Sequence, residues 1–182
     1  MNYPAPSRLV LPLQPYELGD YHHFGKRLPF KKILRIIHLG DDVQAAADTS
    51  VASIGDGEVV YAEMRAGSAQ KKNWGGLVVI GHTDHTTNQP FYSVYGHLYK
   101  LTVRPGQVVS AGEQLGYVAP AGTAENGGWK HPHLHFSIYT GPWRGQILPG
   151  YKRPTELFRT RTSWWSDPRE FIERYNGQRH GN

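Results

Sequence analysis

From Val51 to about residue 140 the apolar residues fall in short runs of β-branched and aromatic side chains, broken by glycine. That spacing predicts strands joined by tight turns. G-D-G-E-V-V-Y-A-E-M at 55–64 reads as a turn and a strand, G-G-L-V-V-I-G-H at 75–82 as a second, and Y-S-V-Y-G-H-L-Y-K-L at 92–101 as a third. In V-R-P-G-Q-V-V-S-A-G-E-Q-L-G-Y-V, at 103–118, turns at Pro105-Gly106 and Ala111-Gly112 flank short β-branched runs, and H-L-H-F-S-I-Y-T-G at 133–141 closes the series. Upstream, the apolar run K-K-I-L-R-I-I-H at 31–38 reads as a strand ending in a turn at Leu39-Gly40-Asp41, and Ala45 to Asp48 is a soft helix candidate. A helix is predicted over 167–176: Asp167 can cap it, Pro168 takes the first helical position, Glu170 lies in the first turn, and Phe171, Ile172 and Tyr175 share one face. Residues 1–30 carry Pro4, Pro6, Pro12, Pro15 and Pro29 with little periodicity, and read as an extended arm packed on a single domain of residues 31–182.

Composition agrees with a mainly β fold. The chain has 182 residues, 38% hydrophobic and 19% charged, enough apolar material for one core. Its 21 glycines, 13 prolines and 11 tyrosines suit short strands and turns better than a helical bundle. The net charge of +5 favours an acidic partner. Its basic residues are scattered, however, with small groups at Lys31-Lys32, Lys71-Lys72 and Arg153 to Arg161, and no nucleic-acid recognition signature accompanies them; no nucleic-acid partner is expected. The absence of cysteine excludes disulfides, thiolate metal sites and cysteine nucleophiles. No signal peptide is visible in the first residues, which keeps a cytoplasmic location open, and no apolar stretch predicts a membrane span.

Candidate chemistry lies in the histidines. His38 and Asp42 stand four apart around Gly40 in H-L-G-D-D; on a strand that turns sharply both side chains can converge, and a glycine makes such a bend easy through positive φ. Imidazole and carboxylate are both zinc ligands, although a His and an Asp near a turn are common. His133 and His135 in H-L-H point to the same side of a strand, with Leu134 and Phe136 opposite, so one can bind a metal while the other moves a proton beside it. His97, in Y-G-H-L, could by itself be a half-buried structural histidine.

Taken together and in order, H-L-G-D-D-V, G-D-G-E-V-V-Y, Y-G-H-L, the glycine-turn segment at 103–118 and P-H-L-H-F resemble the lysostaphin-type (LytM-like) zinc metallopeptidases over roughly residues 31–140. The S-D-P-R-E-F-I helix start fits as well. The resemblance implies a compact, mostly antiparallel β-domain with a substrate groove and one Zn²⁺ on its floor. Carried over by motif, His38, Asp42 and His135 are the metal ligands, and His97 and His133 are catalytic. Three protein ligands leave a position for water, whose pKa zinc lowers from about 15.7 to roughly 7. The implied activity is amide-bond hydrolysis, on peptidoglycan or a related peptide, by a monomer in a periplasmic or extracellular setting. Tyr95, Asn126 and Trp129 are expected to contact substrate, the last two from the unusual segment A-G-T-A-E-N-G-G-W-K-H-P.

Other departures from the family pattern bear on the expectation. Ser137 stands where an acidic or amide residue often follows H-L-H-F; outside the metal shell, it is expected to alter strand contacts only. His82, Asp84 and His85 suggest a polar turn rather than a second metal site, His131 a rim residue, and Trp164-Trp165 packing of the final helix. Three rivals stand beside the peptidoglycan hydrolase. One is a zinc amidohydrolase on a small cytosolic substrate. A non-catalytic activator module is disfavoured by the intact motif positions. A lipoyl domain is disfavoured because the 103–118 segment holds no lysine, and a phosphocarrier because it would use two histidines but no Asp ligand such as Asp42.

Overall fold

The computed structural model describes residues 3–19, 23–30, 34–154 and 160–178. In chain order the strands are β1 (Arg27–Phe30), β2 (Leu34–His38), β3 (Asp41–Gln44), β4 (Ser50–Ala52), β5 (Gly57–Arg65), β6 (Gly75–Thr83), β7 (Pro90–Tyr99), β8 (Val108–Val109), β9 (Gln114–Val118), β10 (His133–Tyr139), β11 (Tyr151–Lys152) and β12 (Trp165–Ser166), followed by the helix α1 (Pro168–Gly177). All the pairings between them are antiparallel. The larger sheet runs β12-β10-β7-β6-β5-β8; β3 joins it on β10, and β9 links β7 to β4. A smaller sheet, β1-β2-β11, stands apart from it. This is the mostly antiparallel β-domain that the resemblance implies, built from the strands that the glycine-punctuated runs predict.

Both faces of the large sheet are covered, which explains the near-continuous apolar run of β6. Val78, Ile80, Tyr95, Leu134 and Phe136 belong to the core on one face, and Leu77, Val79, Val94, Tyr139 and Leu39 to that on the other. The helix completes the first core. Asp167 caps it by accepting from the Glu170 N–H at 3.1 Å, Pro168 sits in its first turn, and Phe171, Ile172 and Tyr175 are buried. Burying one such side chain stabilises by about 1.5–3 kcal/mol. From the other side Tyr175 donates to the Pro6 carbonyl at 2.8 Å, and Asn176 both accepts from the Leu9 N–H and donates to the Leu9 carbonyl. Tyr3, Leu9, Leu13 and Tyr16 of the N-terminal segment are buried in the cores, and the end of that segment forms β1. Trp165 in β12 packs on Tyr139 at 4.9 Å and bonds Thr160 through its indole N–H.

One predicted element is absent. Ala45 to Asp48 forms no helix: the chain turns at Ala47-Asp48, and Asp48 adopts φ 65° while its carboxylate receives the Tyr99 hydroxyl and the Lys100 ammonium. Four residues are too few to offset the cost of helix nucleation.

Candidate metal centre

The H-L-G-D-D motif crosses from one sheet to the other. His38 ends β2 in the small sheet, and Asp42 lies in β3 of the large one. In the β3–β10 register Asp42 is the direct partner of His135, so strand pairing itself sets carboxylate beside imidazole. His38 then completes the group from above. Its Nε2 lies 3.1 Å from His135 Nδ1 and 3.2 Å from Asp42 Oδ1, and the latter two atoms are 2.8 Å apart. All three residues are buried. Ligands about 2.0–2.2 Å from a tetrahedral zinc stand about 3.3 Å from one another, so the spacing fits one such ion. Among the described residues this is the one group of His, Asp and Glu side chains whose donors converge in this way.

The remaining nitrogens fix the orientation of the donors. His38 Nδ1 donates to the His23 carbonyl at 3.2 Å, which leaves its Nε2 lone pair toward the group. His135 Nε2 pairs with Ser137 Oγ at 2.9 Å, and its Nδ1 faces Asp42. Ser137 thus touches a predicted ligand directly, where altered strand contacts alone were expected. Gly40 is required by closeness rather than by positive φ. A Cβ there would sit 2.2 Å from Ser137 Oγ, 2.4 Å from the Phe136 carbonyl and 2.9 Å from His135 Nε2. Asp41, one residue before Asp42, faces elsewhere and accepts from the Tyr16 hydroxyl at 2.7 Å and the Phe24 N–H at 2.9 Å.

Two further histidines border the group. His133 Nδ1 donates to the His131 carbonyl at 2.9 Å, and its Nε2 lies 3.9 Å from Asp42 Oδ1. The His97 ring is 4.5 Å from that of His133 and 6.0 Å from Trp74. His97 reaches this face through a bulge. Between Tyr95↔Val78 and Leu98↔Gly76, β7 has one residue more than β6, and His97 takes φ 65°. Burial holds His97 well below the usual histidine pKa, helped by the neighbouring His133 and His135; burial also lowers His135 to about 4, against the pull of Asp42. Both imidazoles are therefore neutral at pH 7.

Residues 36–146 match peptidase family M23. The chain belongs to this family. Cell division protein DipM of Caulobacter vibrioides (strain NA1000 / CB15N) is 34% identical over 103 residues, 57% of this chain and 14% of that protein. Murein hydrolase activator NlpD of Escherichia coli (strain K12) is 30% identical over 99 residues, 54% of this chain and 22% of that one. The chain thus spans under a third of the length of either relative. The catalytic domain of the antimicrobial peptidase lysostaphin from Staphylococcus simulans shares the fold, with a TM-score of 0.54 at 23% identity, over 87% of this chain and 92% of that one.

The histidine cluster opens into a groove of about 610 Å³ with His97 and His135 among its lining residues. Trp129 lines it, half-buried, 5.9 Å from the His97 ring. The two other expected substrate contacts lie elsewhere. Tyr95 is fully buried on the opposite face of the sheet, packed on Phe136 at 5.3 Å, and its hydroxyl accepts from the Ile54 N–H. Regular alternation would put Tyr95 and His97 on one face; the extra residue in β7 separates them. Asn126 is buried too, and works inside its loop. Its amide donates to the Ala119 carbonyl at 3.2 Å and to the His131 carbonyl at 3.3 Å, the same oxygen that holds His133.

Two groove residues escaped the sequence reading. Trp74 lies edge-on to His135 at 4.9 Å, and its indole N–H donates to the Leu148 carbonyl. Gly96 admits that indole, since a Cβ there would sit 2.4 Å from it. Tyr151 pairs with His38 across β2–β11, its ring 4.9 Å away. Neither lies in a chemical motif, and their only signal was bulk aromaticity next to glycine. His82, Asp84 and His85 form no second group of donors: His82 is buried, Asp84 Oδ1 caps the N–H groups of Thr86 and Thr87, and His85 packs on Tyr175. His23 bonds the Phe24 carbonyl at the surface, while His22 and His180 lie outside the described residues. Among the described residues no helix is long and apolar enough to cross a membrane.

Proposed function

We propose that this M23 domain is a zinc-dependent hydrolase of peptide bonds, acting as a monomer on peptidoglycan cross-links or stem peptides. The supporting observation is the convergence of His38 Nε2, Asp42 Oδ1 and His135 Nδ1, three buried donors spaced for one small divalent cation. A zinc ion held there makes water ionisable near neutrality and polarises a substrate carbonyl.

The chain's own side chains do the rest. His133 is held with Nδ1 protonated by the His131 carbonyl, so its Nε2 is the basic nitrogen. Beside Asp42, that nitrogen takes the proton from the attacking water and returns it to the departing amine as the C–N bond breaks. His97 stays neutral in its buried place and donates an N–H to the carbonyl oxygen as that oxygen becomes an anion. Asn126 acts behind the reacting groups by fixing the His131 carbonyl. Trp129 forms a wall against which the peptide lies.

A second reading, a non-catalytic partner of another hydrolase, draws support from the likeness to the murein hydrolase activator NlpD. Zinc analysis of purified protein, with digestion of peptidoglycan and a panel of short glycine- and alanine-rich peptides, separates the two. The expected result is one zinc per chain and cleavage that stops on chelation and returns with zinc. Cleavage that survives the chelator overturns the mechanism. A folded protein without stoichiometric zinc that cleaves no substrate favours the activator.

A further inference from the structure

The histidine donor from the small sheet is held from behind by a segment outside the M23 match. That match covers residues 36–146, whereas Tyr16, His23 and Phe24 belong to the N-terminal arm. Residues 23–26 wrap around His38. Its backbone N–H donates to the Lys26 carbonyl at 2.9 Å, its carbonyl accepts from the Gly25 N–H at 3.0 Å, and its Nδ1 donates to the His23 carbonyl at 3.2 Å.

The last of these bonds belongs to a longer chain. The His23 carbonyl and the Phe24 N–H are the two ends of one peptide group, and in a trans peptide they point in opposite directions. The carbonyl end faces His38, and the N–H end donates to Asp41 Oδ1 at 2.9 Å. Asp41 Oδ2 accepts from the Tyr16 hydroxyl at 2.7 Å. The helix α1 grips Tyr16 in turn: Arg169 donates to the Tyr16 carbonyl at 2.7 Å, and its guanidinium lies 5.1 Å over the ring. Asp41 is buried. A buried carboxylate bonds strongly to its donors, and its charge polarises the peptide it holds, which makes the far carbonyl a better acceptor. A carbonyl so placed fixes the ring and tautomer of His38 and strengthens the lone pair of its Nε2, the nitrogen 3.2 Å from Asp42 Oδ1.

We infer that Asp41 and Tyr16 are positioning residues of the metal centre, acting on His38 through the His23–Phe24 peptide. Neither touches the ion; they set the direction and the strength of one of its donors. The inference rests on the zinc site of the hydrolase reading. It makes the N-terminal arm a working part of that site rather than packing alone.

The test is a zinc competition titration of the whole chain and its variants. Asp41→Ala should weaken zinc binding at least about tenfold, the range for losing a partner that orients a ligand. Asp41→Asn keeps an oxygen for the Phe24 N–H and can donate to the Tyr16 hydroxyl, so it should stay within about threefold of the wild type. Tyr16→Phe, which removes one hydroxyl, should weaken zinc severalfold. Tyr175→Phe is the control: it breaks another anchor of the arm, the 2.8 Å bond to the Pro6 carbonyl, and should leave zinc affinity unchanged. Wild-type affinity in Asp41→Ala overturns the inference and leaves the hydrolase intact. An Asp41→Asn as weak as Asp41→Ala also overturns it, because charge alone would then be the cause. So does an equal loss in Tyr175→Phe, which would trace the effect to docking of the arm in general. If Asp41→Ala does not fold, Tyr16→Phe decides, and unchanged affinity there overturns the inference. A wild type that takes up no zinc ends both readings. A wild type that binds zinc and cuts no peptide ends the hydrolase reading alone, and the titrations still decide the role of Asp41 and Tyr16.

Discussion

His82 and His135 look alike by every single-residue measure. Each is fully buried in a strand of the large sheet, burial pushes each down to about pKa 4, and each has its Nε2 on a serine hydroxyl, Ser93 at 2.7 Å and Ser137 at 2.9 Å. They differ at the other ring nitrogen. His82 Nδ1 donates to the Asp56 carbonyl at 2.7 Å, so every polar atom of the pair is satisfied. His135 Nδ1 instead meets the Asp42 carboxylate and the His38 Nε2 lone pair. Two imidazole lone pairs and a carboxylate oxygen aimed at one spot repel one another unless a cation or a proton lies among them. Burial and a displaced pKa therefore do not mark the functional histidine; convergence of electron pairs does.

The largest effect expected from this contrast follows removal of one ring or the other. His135→Ala should lose stoichiometric zinc and at least about 10³-fold in peptide cleavage, the equivalent of several kcal/mol of transition-state stabilisation. His82→Gln, measured the same way on folded protein, should keep its zinc; a zinc-free His82→Gln that remains folded would remove the distinction.

Next in size is a pH effect that belongs to His82. Its folded pKa of about 4 lies below the ordinary histidine value of 6.5, so the unfolded chain binds the proton first as pH falls. The stability from keeping His82 neutral is complete above about pH 6.5, is lost progressively down to about pH 4, and amounts to roughly 3 kcal/mol. Urea unfolding at a series of pH values should show this slope in the wild type and a slope shallower by that amount in His82→Gln; identical slopes would refute the assignment.

The smallest effect separates the two serines. Ser137→Ala should weaken zinc binding about 10–100-fold in a competition titration, because it leaves a ligand without its orienting partner. Ser93→Ala should leave zinc affinity unchanged and cost about 1–3 kcal/mol in unfolding free energy, because it leaves a buried acceptor on His82 unsatisfied. Equal loss of zinc in both variants would mean that the serines act on the fold in general.

These contrasts also show what the sequence could and could not reveal. The strands and the helix were legible because glycine turns, β-branched runs and the Asp167-Pro168 cap act locally. His133 and His135 were placed on one face by strand periodicity, and their order with His38 and Asp42 pointed to the family. Tyr95 reads as a groove residue in the sequence because the added residue at Gly96–His97 has no local signature; it is imposed by the pairing of β7 with β6. Asn126 looks like a substrate contact in the sequence because a polar residue before two glycines reads as exposed, whereas the loop folds it inward onto two carbonyls. Trp74 and Tyr151 meet the histidines only through tertiary packing, from segments with no chemistry of their own.

Because His38 belongs to β2 and its two companion donors to β3 and β10, the donors span a seam between separately hydrogen-bonded ribbons. Any cation that binds there is also a rivet: part of its affinity is spent holding the small ribbon down on the large one. The ribbon so fastened carries Leu28, Ile36 and Arg153, so loading the ion and shaping the cleft are a single equilibrium.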